Sequence, residues 1–455
     1  MTARRRFRRF HPRRPCSAAP RSPRHPLRVR LRRYTALAAT AALSGPLLTG
    51  CGLLPGEARA DDETVKVMTW APQHTHAAAM AGMTAMAQAY ARWINTSGGV
   101  AGRRLEVLTC DERNDRLAAA RCADRAADED VVAVVGSYSR HGHTFMPPLE
   151  GAGIPYLGGF GVADDEFESP LSYPVNGGLP VLAAGNGRQL AAGGCTDVTL
   201  VRPDTVGGDQ LVPLLDAGLR DGGADAAAPV RDVAAPEDAT SYLPSARRAL
   251  DGAEAATASG AGTPCVTAVL GGRTDTFFDS FRRLAPEDAG VTTASVLGSI
   301  RQNLVDSTGG AASSLEGTYA TGWYPTADDP RWDPMRRVVR GHAFGDDRID
   351  PDDPGVRTTW IAYTVLRAAL EEIGPDTPVT ARSLRTALDE GPAFSTGGLT
   401  PKLRWQYDDL LSAAEFPRIV NTSVTYQRVR DGRLVSVHDG FVDVEKSLQA
   451  DDDLG

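Results

Sequence analysis

Two closely spaced pairs of histidines are the first residues in this sequence that could do chemistry. His74 and His76 form one pair, and His141 and His143 form the other. Imidazole nitrogens bind borderline transition metals such as Zn²⁺ and also hydrogen-bond polar organic molecules. We expect each pair to offer one imidazole to a common cleft. Two imidazoles fall short of the four ligands of a closed zinc site, so hydrogen bonding to an organic ligand, or simple solvation, is favoured over a metal.

Three arginines are predicted near the same cleft. Arg140 lies beside the second histidine pair, and Arg273 and Arg301 follow strands predicted later in the chain. In an acidic protein, clustered guanidinium groups reverse the local field and favour a ligand that carries a carboxylate or a phosphate. The alternative is that these arginines pair with acidic residues, such as Asp204 and Asp275.

Common catalytic and nucleotide-binding patterns are absent from the sequence. It contains no Gly-x-Ser-x-Gly, no Gly-x-x-x-x-Gly-Lys, no His-Glu-x-x-His, and no Gly-x-Gly-x-x-Gly after a predicted strand. We therefore predict that the protein is not an enzyme and that it uses no cofactor.

A lipid-modified cysteine is predicted at position 51. Cys51 ends the sequence Leu-Leu-Thr-Gly-Cys, which has the form of a bacterial lipobox. Thirteen arginines without an acidic residue, and then a short apolar run, precede it, as in a secretory signal. We expect residues 1–50 to be a lipoprotein signal peptide and residues 51–64 a lipidated tether. The rest of the chain would lie outside the cytoplasm, anchored to the outer face of the cell membrane.

The charge and length of the remaining chain limit its partners. The whole sequence has a net charge of −8, so removal of the thirteen leader arginines leaves −21. Such an acidic surface repels nucleic acid and anionic lipid. About 405 residues remain, enough for two domains that each have a core.

Four cysteines remain beyond the leader and Cys51. Thiols outside the cytoplasm usually pair, although four free thiols are the alternative. Of the three possible connectivities we predict Cys110 with Cys122 and Cys195 with Cys265. The first pair would join a strand end to the next helix, and the second would join the starts of two neighbouring parallel strands.

Predicted strands and helices alternate along the chain. The first part predicts strands at 64–70, 104–110, 131–135 and 154–158, with helices at 76–95, 117–128 and 146–152. The second part predicts strands at 197–202, 230–233, 265–270 and 294–297, with helices at 210–219, 242–252, 276–284 and 301–312. Helices at 333–344, 358–373 and 380–390 follow, and then a hairpin of 423–430 and 433–438 joined at Asp431-Gly432. This alternation predicts parallel sheets with right-handed crossovers.

Several short motifs occur in a characteristic order. They are Ile-Asn-Thr-Ser-Gly-Gly-Val-Ala-Gly-Arg-Arg-Leu (94–105), Val-Val-Ala-Val-Val-Gly-Ser-Tyr-Ser (131–139), Ala-Gly-Ile-Pro-Tyr-Leu (152–157), Trp-Ile-Ala-Tyr (360–363) with Ala-Leu-Glu-Glu-Ile-Gly (369–374), and Gly-Gly-Leu-Thr-Pro-Lys-Leu-Arg-Trp (397–405). With them the chain resembles, from about residue 65 to 444, the type I periplasmic-binding-protein fold, specifically the branched-chain amino acid (Leu/Ile/Val) class of ABC-transporter substrate-binding lipoproteins. The resemblance implies an α/β fold of two doubly wound, Rossmann-like lobes with mainly parallel sheets, a three-segment hinge and a ligand cleft between the lobes.

The resemblance also implies domain boundaries. The hinge crossings would fall near Gly177, Pro325 and Arg404. The first lobe would comprise residues 65–178 and 326–403, and the second lobe residues 179–325 and 404–447, before an acidic tail at 448–455.

The resemblance places the ligand at the carboxyl ends of the strands, where relatives hold an amino acid carboxylate with hydroxyls and backbone N–H groups. Ser137 and its neighbours match the position after the third strand. However, residues 159–162 lack the expected Ser or Thr and residues 204–207 lack the expected aromatic residue, which weighs against a plain amino acid ligand. The candidate ligand-binding residues are Gln73, His74, Ser137, Tyr138, Ser139, Arg140, Phe160, Gly161, Thr205, Arg273, Arg301 and Tyr324.

The function implied is that of a monomeric, extracytoplasmic solute-binding lipoprotein. It would capture a small polar ligand, amino acid-like or otherwise carboxylate-bearing, and deliver it to an ABC importer, with the permease and the membrane as partners. One alternative is a ligand-sensing receptor on the same fold that signals to a membrane partner. Another is a metal-binding variant that uses His74, His76, His141 and His143.

Overall fold

The computed structural model describes residues 64–449, apart from residues 76–78, 225–227, 238, 261, 286–289 and 297–298. The predicted signal peptide, Cys51, most of the tether and the end of the acidic tail lie outside the described residues. None of the helices in the described part of the chain combines the length and apolar character needed to cross a membrane.

The first sheet has five parallel strands in the order β2-β1-β3-β4-β5. They are β1 (Thr64–Ala71), β2 (Arg104–Asp111), β3 (Ala133–Val135), β4 (Tyr156–Leu157) and β5 (Ser172–Tyr173). The helices between them are α1 (Ala81–Thr96), α2 (Arg116–Asp128), α3 (Gly142–Ala152) and α4 (Asp165–Glu168). Strand β1 is buried from Val67 onward because it lies inside the sheet and helices cover both faces.

The second sheet has eight strands in the order β12-β11-β10-β9-β8-β6-β7, with β13 paired to β11. They are β6 (Asp197–Pro203), β7 (Arg231–Ala235), β8 (Pro264–Ala268), β9 (Thr292–Val296), β10 (Tyr319–Gly322), β11 (Ser423–Arg430), β12 (Arg433–Ser436) and β13 (Val442–Asp443). Its helices are α5 (Gly178–Ala192), α6 (Val206–Asp209), α7 (Leu211–Asp221), α8 (Leu243–Ser259), α9 (Thr274–Leu284) and α10 (Gln302–Ser307). Strands β6 to β10 are parallel, and β11 to β13 are antiparallel additions.

The chain crosses between the sheets after β5, after β10 and before β11. Between the last two crossings lie α11 (Asp333–His342), α12 (Pro354–Ile373) and α13 (Ala381–Glu390), and α14 (Glu445–Gln449) ends the described chain. Helices α11 and α12 pack on α1. We call the first sheet with α1–α4 and α11–α13 the first lobe, and the second sheet with its helices the second lobe.

Hydrogen bonds tie the three crossings together. The Tyr324 hydroxyl accepts a hydrogen bond from Asn176 Nδ2 at 2.9 Å and lies 2.8 Å from the Thr358 hydroxyl at the start of α12. Asn421 Nδ2, just before β11, donates to the carbonyl of Val175 at 3.1 Å. The crossings therefore form one buried polar cluster between the lobes.

Local sequence signals explain several element boundaries. Asp353 caps α12 by accepting hydrogen bonds from two backbone N–H groups, and Pro354 follows at the first helical position. The predicted turn at Asp431-Gly432 joins β11 to β12, with φ of 52° and 72°, as a two-residue hairpin loop requires.

Both predicted disulfides are present. Cys110 at the end of β2 bonds to Cys122 in α2. Cys195 bonds to Cys265 because β6 and β8 are parallel neighbours whose starts lie side by side.

The sequence-based assignment missed seven elements, namely α4, β5, α5, α6, β10, β13 and α14, and misplaced several ends. The predicted helix at 76–95 begins only at Ala81, and the one at 146–152 begins already at Gly142. The helix predicted at 301–312 ends at Ser307, after which Gly309 has a φ of 121° that interrupts it. The helix predicted at 242–252 continues to Ser259, where Gly260 ends it with a left-handed conformation.

Candidate functional site

The loop after β3 places Ser137, Tyr138 and Ser139 at the carboxyl end of the first sheet. All three side chains are buried. Ser137 Oγ accepts a hydrogen bond from the backbone N–H of Trp70 at 3.0 Å, and Ser139 Oγ donates to Glu112 Oε2 at 3.2 Å. Both serine hydroxyls are therefore engaged within the first lobe, where they fix the shape of the loop.

Three aromatic rings connect the strand ends of the first lobe to a crossing. The Tyr138 ring lies 5.3 Å from the Phe160 ring, which follows β4, and Phe160 meets Trp323 edge-on at 5.2 Å. Trp323 follows β10, and its Nε1 donates to the carbonyl of Gly178 at 3.0 Å. Burial raises the pKa of Tyr138 to about 12, so its hydroxyl is neutral. We call Tyr138, Phe160 and Trp323 the aromatic wall.

The loop after β4 wraps around the carboxylate of Glu166. Glu166 Oε2 accepts from the N–H of Gly161 at 3.1 Å, and Oε1 accepts from Val162 at 3.1 Å and from Ala163 at 3.2 Å. A Cβ atom at Gly159 would lie 1.8 Å from Glu166 Oε2, so the close approach requires glycine. An internal carboxylate thus occupies the three N–H groups of the loop that lacks the expected Ser or Thr.

Two buried carboxyl groups behind these loops titrate near neutral pH. Burial raises the pKa of Glu112 to about 7, against the opposing effect of hydrogen bonds from the Asn114 N–H and the Ser139 hydroxyl. Burial also raises the pKa of Glu166 to about 7, although three backbone N–H groups favour its charged form. In both cases the loss of water around the charge outweighs the hydrogen bonds.

Asp111, at the end of β2, holds the loop after β1. Its Oδ1 accepts from the N–H of Gln73 at 2.9 Å, and its Oδ2 lies 2.7 Å from His74 Nδ1. Burial acts to raise the pKa of Asp111, but hydrogen bonds from His74, Gln73 and Arg113 lower it below its ordinary value. The side chain of Gln73 accepts from Arg348 at 3.4 Å. Gln73 and His74 therefore belong to a polar rim beside the strand ends.

The two histidines of the second pair differ in their exposure. His141 is half-buried, and its Nε2 has no hydrogen-bond partner among the described residues. His143 is exposed, and His76 lies outside the described residues. The described part of the chain contains no group of three or more His, Cys, Asp or Glu side chains that could hold a metal ion.

The second lobe contributes Thr205, Arg273 and Arg301 from loops that follow its strands. Thr205 caps α6 by accepting a hydrogen bond from the N–H of Gly208 at 3.1 Å. Arg273 is half-buried after β8, and no ion pair joins it to any residue that the structure describes. Tyr324, as described above, lies in the crossing, with its hydroxyl bonded to neighbours there.

Side chains from the two lobes meet across the space between the strand ends. Arg140 of the first lobe forms an ion pair with Glu237, which follows β7. Arg301 of the second lobe pairs with Asp353 at 2.8 Å, and Asn303 Nδ2 donates to Asp350 at 2.8 Å. Two of the three predicted arginines therefore pair with acidic residues, in agreement with the alternative reading, and their partners lie in the opposite lobe.

A cavity of about 230 Å³ lies where the lobes meet. Both cationic and carboxylate side chains line its walls, where they could contact a small ligand. The walls are formed by Ala79, Met80, Ala81, Gly82, Arg301, Arg348, Asp350 and Asp353. A second cavity of about 490 Å³ lies apart from the strand ends, between the end of α12 and α13.

Sequence reasoning missed the acidic partners in this region, namely Glu112, Glu166, Glu237, Asp350 and Asp353. Glu112 could have been noticed because it lies two residues after the end of a predicted strand. Nothing in the local sequence distinguishes Glu166 or Glu237 from the many exposed acids of the chain, because their roles depend on contacts with distant loops.

The chain is similar to known proteins over most of its length. The family described as periplasmic binding protein matches residues 74–411. No curated protein sequence matches the chain at a significant level. Among solved structures, a possible leucine/isoleucine/valine-binding protein from Rhodopirellula baltica SH 1 superposes with a TM-score of 0.65 at 15% identity, and the match covers 83% of this chain and 97% of that one.

Two further solved structures contain bound carboxylates. A solute binding protein of an ABC transporter from Rhodopseudomonas palustris BisB5, in complex with 3,4-dihydroxybenzoic acid, has a TM-score of 0.64 at 17% identity, with 84% of this chain and 98% of that chain covered. A branched chain amino acid ABC transporter protein from Thermus thermophilus with bound valine has a TM-score of 0.63 at 15% identity, with 85% and 98% covered. At these identities the likeness shows the fold, and it confirms the predicted pair of α/β lobes.

Proposed function

This chain belongs to the periplasmic binding protein family, and we propose that it captures a small carboxylate-bearing solute between its lobes and delivers it to an ABC importer. The family and the similar solved structures are substrate-binding proteins and not enzymes. The chain is accordingly a binding protein, as the absence of catalytic motifs predicts.

The observation that carries the proposal is the meeting of the two lobes at their strand ends. In open α/β sheets, ligands bind outside the carboxyl ends of the strands. Here Arg140 and Glu237, and Arg301 and Asp353, join side chains of opposite lobes in this region. A solute held there would contact both lobes, so binding would favour the closed arrangement over an open one.

A carboxylate is the ligand group that the available side chains favour. The Ser137 and Ser139 hydroxyls are engaged within the first lobe, and the N–H groups after β4 bind Glu166. Recognition of an anionic group would therefore depend on guanidinium groups, above all Arg273, which has no acidic partner among the described residues. The aromatic wall would contact the apolar part of the solute. The valine and the dihydroxybenzoic acid in the two similar structures each combine a carboxyl group with an apolar part.

The proposal includes a lipid anchor at Cys51. Its support is the lipobox after an arginine-rich leader, together with two disulfides that indicate an oxidising compartment. Metabolic labelling with a radioactive fatty acid should label the wild type and leave the Cys51→Ala variant unlabelled. An unlabelled wild type, or equal labelling of the two, would contradict the anchor.

A ligand screen tests the proposed function. We expect at least one of L-leucine, L-valine, 4-hydroxybenzoate and 3,4-dihydroxybenzoate to raise the melting temperature of the mature protein, because a ligand that binds only the folded state stabilises it. Arg273→Ala should abolish the shift. Arg283→Ala, which removes an exposed arginine of the same lobe that pairs with Asp279, should keep it.

Two outcomes would contradict this function. One is the absence of a shift with all four of these carboxylates. The other is an equal response of the Arg273→Ala and Arg283→Ala variants to the same carboxylate, since a carboxylate bound by Arg273 must distinguish them.

A further inference from the structure

Both loops that carry the aromatic wall in the first lobe are attached to a buried carboxylate. The loop after β3 carries Tyr138 and is attached to Glu112, and the loop after β4 carries Phe160 and is attached to Glu166. Neither glutamate side chain is exposed by more than 1%. Buried carboxylates without a cationic partner are uncommon in proteins, so their placement behind these two loops calls for an explanation.

Glu112 is connected to the loop after β3 by the hydroxyl of Ser139. Its Oε2 accepts from the Ser139 hydroxyl at 3.2 Å, and Ser139 Oγ in turn accepts from the N–H of His141 at 3.2 Å. Its Oε1 accepts from the N–H of Asn114 at 3.0 Å, within a turn in which Arg113 and Asn114 both have positive φ. Glu112 thus links the turn after β2 to the loop after β3.

Glu166 acts directly on the backbone. Three consecutive N–H groups converge on its carboxylate, and no side chain in the described part of the chain donates to it. The same segment contacts the first crossing, because Gly161 accepts a hydrogen bond from the N–H of Leu179 at 3.0 Å. Movement of Glu166 would therefore shift Phe160 relative to Trp323.

We infer that Glu112 and Glu166 are positioning residues for the solute site, and that each opens its own loop when its carboxylate becomes ionised and takes up water. The inference rests on the proposed function for its meaning, but it can be tested without a solute. It assigns to these two residues a role that neither the fold nor the family match requires.

The physical reason is the balance between burial and hydration. An ionised carboxylate that is cut off from water favours any conformation in which it is hydrated. Among the described residues, no Lys, Arg or His side chain forms an ion pair with either carboxylate, and the charged groups nearby are mostly acidic. The charged groups near Glu112 are Asp111, Asp115 and Arg140. The charged group near Glu166 is Asp165. The hydroxyls of Tyr138 and Tyr156 lie near both glutamates.

Amide hydrogen exchange of the ligand-free mature protein tests the inference. The N–H groups of residues 161–163 report on Glu166, and those of Tyr138 and His141 report on Glu112. After correction for the intrinsic exchange rate, the opening equilibrium of each loop should rise by up to about tenfold per pH unit between pH 5 and 7, and level off above pH 7. Amides of β6 in the second lobe should show no such rise.

Two isosteric variants and one control make the test specific. Glu166→Gln should flatten the pH profile at 161–163 and leave that of Tyr138 and His141 unchanged, and Glu112→Gln should do the reverse. Glu106→Gln, at an exposed position of β2, should behave as wild type. Each variant and the wild type are separate tests, so one that fails to fold leaves the others informative.

A flat wild-type profile, or profiles in Glu112→Gln and Glu166→Gln that match the wild type, would overturn the inference. A negative solute screen with the expected exchange profiles would instead contradict the proposed function alone. The two failures are therefore distinguishable.

Discussion

The two lobes hold their main helices by different means. In the first lobe, α12 packs on α1 through aromatic rings: Trp360 lies 5.2 Å from Tyr90 and 5.7 Å from Trp93, and Tyr363 lies 5.4 Å from Tyr90. In the second lobe, α5 carries the buried amides Asn186 and Gln189 into the space between helix and sheet. One interface depends on apolar area and the other on hydrogen-bond direction.

The amides of α5 bind several strands at once. Asn186 Oδ1 accepts from the Thr267 hydroxyl of β8 at 2.7 Å, and Asn186 Nδ2 donates to Thr321 of β10 at 3.3 Å. Gln189 Nε2 donates to the carbonyl of Gln427 in β11 at 2.9 Å. Because unmet polar groups are costly in a core, this network specifies one position of α5 and tolerates few changes. The first lobe should be the more tolerant of substitution.

Removal of the disulfides should produce the largest loss of unfolding free energy, and the loss should differ between the two lobes. The Cys195–Cys265 bond closes 70 residues and the Cys110–Cys122 bond closes 12. On chain-entropy grounds the losses in unfolding free energy are about 4 kcal/mol for the double Cys195→Ala/Cys265→Ala variant and about 3 kcal/mol for Cys110→Ala/Cys122→Ala. Urea titration measures both. Equal losses, or a larger loss in the first lobe, would show that loop length does not decide the difference.

A pH dependence of stability is expected in the first lobe. Glu166 has a pKa of about 7 in the fold and about 4.5 when unfolded, so between these values the folded state binds more protons and the unfolding free energy falls as pH rises. The loss should approach about 3 kcal/mol for this group and be complete above pH 7. Urea unfolding at pH 5 and pH 7.5, followed by the intrinsic tryptophan fluorescence of the protein, measures this loss.

Glu166→Gln is the control for that measurement. Because Glu112 also has a pKa of about 7 in the fold, the variant should lose about half of the pH dependence, while Glu106→Gln should retain all of it. A stability that rises from pH 5 to pH 7.5 in the wild type would have the wrong sign and would refute the argument.

The contrast between the lobes also explains what the sequence could predict. The sequence predicts helix α12 over 358–373 because its apolar residues recur at helical spacing, and the structure begins it four residues earlier, at Pro354. Helix α5 was missed because almost all of its residues are buried, including Asn186, Gln189 and several glycines. A helix that is covered on every side has no polar face, so its periodicity does not reveal it.

The candidate site was predictable only in part for a related reason. The strand periodicity located the loop of Ser137 to Arg140, since ligand loops follow parallel strands. It could not show that the Ser139 hydroxyl is bound to Glu112, or that Arg140 pairs with Glu237, because these partners are distant in the sequence and lie on other elements. Contacts of this kind depend on sheet order, which periodicity alone leaves undetermined.

Substitutions in the two helices test the comparison directly. Asn186→Ala leaves the Thr267 hydroxyl without its acceptor and removes one of the two hydrogen bonds of the Thr321 hydroxyl, so the unfolding free energy should fall by about 2 kcal/mol or more. Tyr363→Phe in α12 removes one hydroxyl that lies 2.8 Å from Thr69, whose own hydroxyl still donates to Val135, and should cost about 1 kcal/mol. Urea titration of both variants measures the two losses of unfolding free energy. If Tyr363→Phe were the more damaging, the first lobe would also depend on hydrogen bonds.

The smallest effect is expected at the contact between the lobes. Arg140 and Glu237 are both partly exposed, and such pairs contribute about 0.2 to 1 kcal/mol. Arg140→Gln should therefore shift the equilibrium between closed and open lobes by no more than about fivefold, with little change in unfolding free energy, because each lobe keeps its own core. Small-angle scattering at low and high salt should show a slightly larger radius of gyration for the variant, most clearly at low salt, where the wild-type pair is least screened.

Glu237→Gln and the double variant complete a thermodynamic cycle. If the two single effects simply add, the ion pair does not hold the lobes together, and the closed arrangement must depend on the more buried pair of Arg301 with Asp353.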